Sequence, residues 1–109
     1  MVFKIVATGR YLRDVRRWLT PEEQSDMELF IAQDPNRFPL IPGTGGLRKA
    51  RWPRPGMGKR GALRTIYYVW STRESILFLM VYSKSEQGNL THADKKTLRQ
   101  VVQTIAKVN

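Results

Sequence analysis

Hydrophobic and polar positions change period several times along the chain, and each change marks an element. In VFKIVAT the residues Phe3, Ile5 and Ala7 fall on one side of an alternation, which predicts a short first strand. RYLRDVRRWL switches to helical spacing, with Tyr11, Leu12, Val15, Trp18 and Leu19 on one face. TPEE then restarts the chain. Thr20 suits a helix cap, Pro21 the first helical position, and Glu23 stands three residues after the cap. Met27, Phe30 and Ile31 form the apolar stripe of this second helix, and Asp34-Pro35 ends it, because a residue before proline avoids helical geometry.

PNRFPLIPGTGG holds three prolines and three glycines and reads as a connection, long enough to have a role beyond joining elements. Its GTGG lacks the Gly-Lys-Ser/Thr ending of a phosphate loop and reads as a flexible turn. Three strands follow, LRKARW, ALRTIYYVW and SILFLMVYSK, with PRPGMGKRG linking the first two and STRE turning tightly between the others. Strands joined this closely pair antiparallel. LTHADKKTLRQVVQTIAKV closes as a helix, with Thr91 and Asp94 at its start and Leu98, Val101, Val102 and Ile105 as its core stripe. The order β-α-α-β-β-β-α predicts an α+β domain, a small, mainly antiparallel sheet packed against helices.

Composition narrows this picture. At 109 residues, 41% hydrophobic and 26% charged, the chain suits one domain spanning residues 1–109. It has no cysteine, which excludes disulfides and thiolate metal sites and fits a cytoplasmic protein. MVFKIVATGR is too short and interrupted for a signal peptide, and ILFLMVY has strand length, not the ~18 residues of a membrane span.

Charge changes the picture more. The net charge is +10, yet residues 1–34 carry five basic and six acidic side chains, and residues 35–73 carry nine basic and no acidic ones. Such a concentration points to a polyanion as partner. Alternation in RKARW puts Ala50 and Trp52 on the face toward helices and Lys49 and Arg51 on the other. Arg64 opens the next strand, and Tyr82 and Lys84 end the last, so Lys49, Arg51, Arg64 and Lys84 are expected to converge with Tyr82. Arg48, Arg54, Lys59 and Arg60 add cations around them. Guanidinium forks match phosphate oxygens, and a tyrosine ring stacks on an unpaired base. On charge alone, a face that binds any polyanion is the commoner case.

Other chemistry finds little support. His92, the one histidine, falls in the first turn of the last helix and reads as a surface residue. One histidine and no cysteine do not assemble a metal site. The acidic residues concentrate in the helical first third, away from any paired-carboxylate arrangement. Lys95, Lys96 and Arg99 read as the solvated side of the last helix.

IPGTGGLRKARWPRPGMGKRGALRTIYYVW, followed by ILFLMVYSKSEQGNLTHADKKTLRQVV, resembles the RelE/HigB superfamily of toxins from bacterial type II toxin–antitoxin pairs, the HigB branch in particular. The resemblance implies a RelE-like fold and a ribosome-dependent endoribonuclease that cuts mRNA in the 30S A site without metal or cofactor. It implies that the ribose 2′-hydroxyl attacks the neighbouring phosphate, leaving a cyclic phosphate and a 5′-hydroxyl. It also implies a cognate antitoxin, with operator DNA reached only through that antitoxin, and no membrane. Carried over by position, Lys49 and Arg51 match the basic pair after the long loop, Arg64 the arginine opening the next strand, and Lys84 the basic residue after the last strand.

Physical chemistry supports the same assignment of roles. Fixed cations stabilise the extra charge of a phosphorane transition state where water is excluded. A desolvated lysine among cations gives up its proton more readily, which makes Lys49 or Lys84 the candidate base. Arg51 and Arg64 are then candidate charge stabilisers. Two other readings stay open at the level of sequence: a gyrase inhibitor like the ParE-type toxins of related fold, and a noncatalytic RNA-binding module.

Overall fold

The computed structural model describes residues 3–54 and 61–107. Its elements follow the expected order: β1 (Lys4–Ala7), α1 (Gly9–Arg16), α2 (Pro21–Gln33), β2 (Leu47–Trp52), β3 (Leu63–Trp70), β4 (Ser75–Ser83) and α3 (His92–Lys107). The sheet order is β1-β4-β3-β2. β2, β3 and β4 form the antiparallel meander, and β1 joins the edge of β4 in parallel. A single 3₁₀ turn at Ser71–Arg73, ending in Glu74 at φ 49°, reverses the chain between β3 and β4.

Local chemistry sets the helix boundaries. The Thr8 side-chain oxygen accepts from the Tyr11 N–H to start α1, and its hydroxyl donates to the Leu79 carbonyl, tying that start to β4. Thr20 and Glu23 form a reciprocal capping box at α2, with Pro21 opening the helix. Thr91 and Asp94 exchange the same pair of bonds at α3. α1 ends at Arg16, so Trp18 and Leu19 reach the core from the turn that follows rather than from the helix.

Helices cover both faces of the sheet. On one, Tyr11 and Val15 of α1 and Met27 and Ile31 of α2 pack on Ala50, Leu63, Tyr67, Ile76, Phe78 and Val81. Phe78 is fully buried between the rings of Tyr11 and Tyr67, with centroids at 5.1 and 6.0 Å. Burial of such a side chain contributes roughly 1.5–3 kcal/mol. On the other face Leu98 and Val102 of α3 pack on Leu47, Ile66, Leu77, Leu79 and Met80. Double coverage explains why ILFLMVY is unbroken apolar sequence: β4 is buried on both sides. Two apolar expectations fail at the margins. Ile5 is 37% exposed on the edge strand, and Phe30 of the α2 stripe is 39% exposed.

The connection before β2 is fixed, not the flexible turn its glycines suggest. The buried Thr44 hydroxyl donates to the Ile41 carbonyl at 2.6 Å and accepts from the Leu47 N–H at 3.2 Å. The Ile41 N–H donates to the Leu47 carbonyl, and the Lys49 N–H to the Pro39 carbonyl, so the segment folds back along the outer edge of β2. Gly43, Gly45 and Gly46 sit at φ 74°, 75° and 112°, a region that only glycine enters without strain.

Candidate functional site

Register places the basic side chains. Arg51 lies opposite Arg64 across β2 and β3, and Arg64 lies opposite Tyr82 across β3 and β4. Residues paired directly share a face, and neighbouring strands stand about 4.8 Å apart. Arg51, Arg64 and Tyr82 therefore form one row across the sheet. Lys49, two residues before Arg51, sits on the same face in the next row, opposite Ile66. This is the α3 face, and the cations occupy the part of it past the helix start. Two arginines directly opposite each other repel, a cost the fold carries without benefit to its own packing.

A bulge makes the row possible. Ile66 pairs with Met80 but Tyr67 pairs with Phe78, so β4 carries Leu79 as an extra residue. Leu77, Leu79, Met80 and Tyr82 then all face α3, and Phe78 and Val81 face α1 and α2. With strict alternation from Leu77, Tyr82 would project to the opposite side. The bulge re-aims it beside Arg64.

Arg64 is 9% exposed, and among the described residues its guanidinium donates to one acceptor, the Ala62 carbonyl at 3.2 Å. Among the described residues it has no carboxylate partner. Tyr82 is 5% exposed and its hydroxyl has no hydrogen-bond partner among the described residues, whereas the other buried tyrosines are satisfied, Tyr11 by Glu28 at 2.7 Å and Tyr67 by the Pro35 carbonyl at 2.6 Å. Burial pushes the Tyr82 hydroxyl above its ordinary range, the Arg64 charge opposes that rise, and Asp94 adds to it. The group is protonated at neutral pH and is a donor, not a base. At 5% exposure its ring offers little face for the base stacking expected of it, and Arg64 lies directly opposite in register.

Beside this row lies a cavity of about 350 Å³. Lys49 and Tyr82 line it, Ile41 and Pro42 of the folded-back connection form one wall, and Asn89, Leu90 and Lys95 form the other. Arg48 and Arg54 do not join the row. Arg48 projects to the α1–α2 side and donates to the Asn36 and Phe38 carbonyls. Arg54 donates to the Gly61 carbonyl and lays its guanidinium 4.9 Å from the Trp18 ring centre. Both are engaged in holding the fold. Lys84 is exposed in the turn after β4 and does not line the cavity. Lys59 and Arg60 lie outside the described residues. Among the described residues no three His, Cys, Asp or Glu side chains gather as metal donors.

The model of a protein family described as the RelE toxin of the RelE/RelB toxin–antitoxin system matches residues 11–109. The chain belongs to the RelE toxin family. Solved structures of RelE proteins share its architecture. A mutant of Escherichia coli RelE in the free state superposes with a TM-score of 0.63 at 15% identity, covering 89% of this chain and 97% of that one. A chain of the Mycobacterium tuberculosis RelBE2 toxin–antitoxin complex gives a TM-score of 0.55 at 21% identity, covering 76% and 92%. A chain of the intact E. coli RelBE complex gives 0.56 at 15% identity, covering 74% and 95%. At these identities the likeness is one of fold.

In this RelE-family chain, sequence periodicity overlooked part of the cavity. Lys95 lines it, and the Arg99 guanidinium donates to the Gly43 carbonyl at 3.1 Å, latching the connection to α3. Arg99 is exposed, as periodicity assigned, and makes this latch as well, whereas Lys95 is half-buried at the cavity. The only available signal was the length and glycine content of the connection, which invited a structural role.

Proposed function

We propose that this RelE-family toxin is a ribosome-dependent, metal-independent endoribonuclease that cleaves mRNA in the 30S A site, and that it belongs to the HigB branch of the superfamily. The branch assignment rests on the resemblance of the segment from Ile41 to Thr91. One observation carries the catalytic reading: Arg64 is buried, lacks a carboxylate among the described residues, and is flanked in register by Arg51 and Tyr82. A guanidinium kept from water without a counter-charge is held for an anion that arrives later.

In this mechanism the scissile phosphate seats over the Arg51–Arg64–Tyr82 row. A lysine takes the proton of the ribose 2′-hydroxyl as its oxygen attacks phosphorus. Lys49, which lines the cavity, is better placed than Lys84. Arg51 and Arg64 offset the charge that builds on the phosphorane, and Tyr82 donates to one of its oxygens. The bond to the 5′-oxygen breaks and that oxygen takes a proton from water while the lysine returns its proton to solvent, leaving a 2′,3′-cyclic phosphate and a 5′-hydroxyl. No histidine or carboxylate stands in the row, so the ribosome supplies the in-line geometry that speeds attack. The partners are a cognate antitoxin, the ribosome and mRNA, and the site of action is the cytoplasm. Among the described residues no helix is long and apolar enough to cross a membrane.

End-group mapping of transcripts from a translating extract tests this reading. Cyclic phosphate and 5′-hydroxyl ends within ribosome-covered codons are expected, with no cleavage of the same RNA free of ribosomes. RNA that binds but stays whole in the extract would leave a noncatalytic binding module. Intact mRNA with damaged DNA in arrested cells would point to gyrase.

A further inference from the structure

The outer face of α2 is unlike the rest of a protein whose net charge is +10. Leu29 is 55% exposed and Phe30 39%, side by side on a helix that buries Met27 and Ile31. The Phe30 ring meets those of Trp52 and Phe38, with centroids at 5.6 and 6.2 Å, and the Arg37 guanidinium lies 4.3 Å from its centre. Phe30 is therefore held in place while part of it stays open to water. A fixed apolar patch on an open helix face marks an interaction surface.

Charge decides what fits there. Residues 18–34 hold Glu22, Glu23, Asp26, Glu28 and Asp34, five of the chain's nine acidic side chains, and no basic one. Helical spacing puts Glu22, Glu23 and Asp26 on the same arc as Leu29 and Phe30. All three acids are exposed, and none makes an ion pair among the described residues. Glu22 and Glu23 offset the helix dipole, but Asp26 and Leu29 lie beyond the first turn and have no such local use. Phosphates are repelled from this face. So is a partner that answers the charge of the whole chain, because such a partner is acidic. What fits is a protein surface with apolar and cationic side chains. The cation row stands on the opposite, α3 side of the sheet, so both faces can be engaged at once.

We propose that this face of α2 docks on a basic protein of the small ribosomal subunit while the cation row meets RNA. Proteins packed on ribosomal RNA neutralise its phosphates and are basic themselves. The partner's identity rests on the ribosome-dependent reading above; its chemistry rests on α2 itself. Leu29 and Phe30 supply the apolar contact, and Glu22, Glu23 and Asp26 pair with lysine or arginine around it. The same acids turn this side of the protein away from ribosomal RNA, which orients the cation row.

Two measurements test it. The chain has no cysteine, so Leu29→Cys carries a single benzophenone label. Irradiated on purified ribosomes programmed with mRNA, it is expected to crosslink to a small-subunit protein. Crosslinks to ribosomal RNA alone overturn the proposal. The second measurement is ribosome binding by cosedimentation at fixed salt. Asp26→Lys and Leu29→Ala are each expected to bind about tenfold more weakly. Tighter binding by Asp26→Lys shows that RNA faces α2 and overturns the proposal. Unchanged ribosome binding in both variants also overturns it. If their affinity for purified antitoxin falls instead, the face belongs to the antitoxin; if a dimer of the free protein is lost, it belongs to a second copy. Cosedimentation reads docking without cleavage. A protein that docks through α2 and cuts nothing supports the interface and overturns the nuclease. Full cleavage with unchanged docking in both variants overturns the interface and leaves the nuclease reading intact.

Discussion

A guanidinium at 9% exposure with a single carbonyl acceptor loses most of its hydration on folding and regains little of it from Arg64's surroundings. Removing an uncompensated buried charge relieves that cost. We expect Arg64→Met to unfold at a higher denaturant midpoint than the unsubstituted protein, with a gain of about 1 kcal/mol or more. A loss of stability on that substitution would show that Arg64 is a structural residue. Tyr82 gives a companion prediction. Its buried hydroxyl has no hydrogen-bond partner among the described residues, so Tyr82→Phe removes a polar group that makes no such bond there. The melting temperature is expected to hold or rise while cleavage in a translating extract falls roughly 10- to 100-fold. Full cleavage by Tyr82→Phe would remove the hydroxyl from the mechanism.

The start of α3 is where local structure and the site meet. Burial works against ionisation of Asp94, but hydrogen bonds from the Thr91 backbone and side chain and from Gln87, with the charge of Arg10, hold its carboxyl below the usual range. A carboxyl lowered on folding contributes stability that is complete above its unfolded value of about 3.9 and is lost as pH falls through the lower folded value. Stability is therefore expected to drop in that acid window, and the drop is expected to shrink in Asp94→Asn. Equal acid sensitivity of the two proteins would contradict it. The capping boxes at Thr20 and Thr91 were legible because each needs two residues three apart. The phase of β4 was not legible, because ILFLMVY is apolar at every position and hides the extra residue Leu79. Lys49 and Arg51 were placed on one face correctly by alternation, since β2 mixes polar and apolar positions. The covering of that face by α3 was missed, because periodicity within one helix does not say which side of a sheet it packs on. Lys95 was assigned to solvent for the same reason, while Arg99 is exposed as assigned.

Across the whole molecule, residues 35–73 carry nine basic and no acidic side chains, and the fold divides five of them between two tasks. Arg48 and Arg54 hold the connection and the Trp18 ring, while Lys49, Arg51 and Arg64 gather on one face. Charge counting does not make that distinction; strand register does. The two groups differ in salt response. Binding of single-stranded RNA by Arg51→Ala is expected to lose ~0.7 from the magnitude of its log–log salt slope, the share of one phosphate contact. An unchanged slope would remove Arg51 from the RNA face. The central claim is that the buried, unpaired Arg64 is kept for the scissile phosphate. Its most direct test compares mRNA cleavage by the unsubstituted protein and by folded Arg64→Ala in one translating extract. Loss of at least about a hundredfold in cleavage rate, with the circular dichroism spectrum retained, is the predicted result; cleavage at the unsubstituted rate would contradict the account.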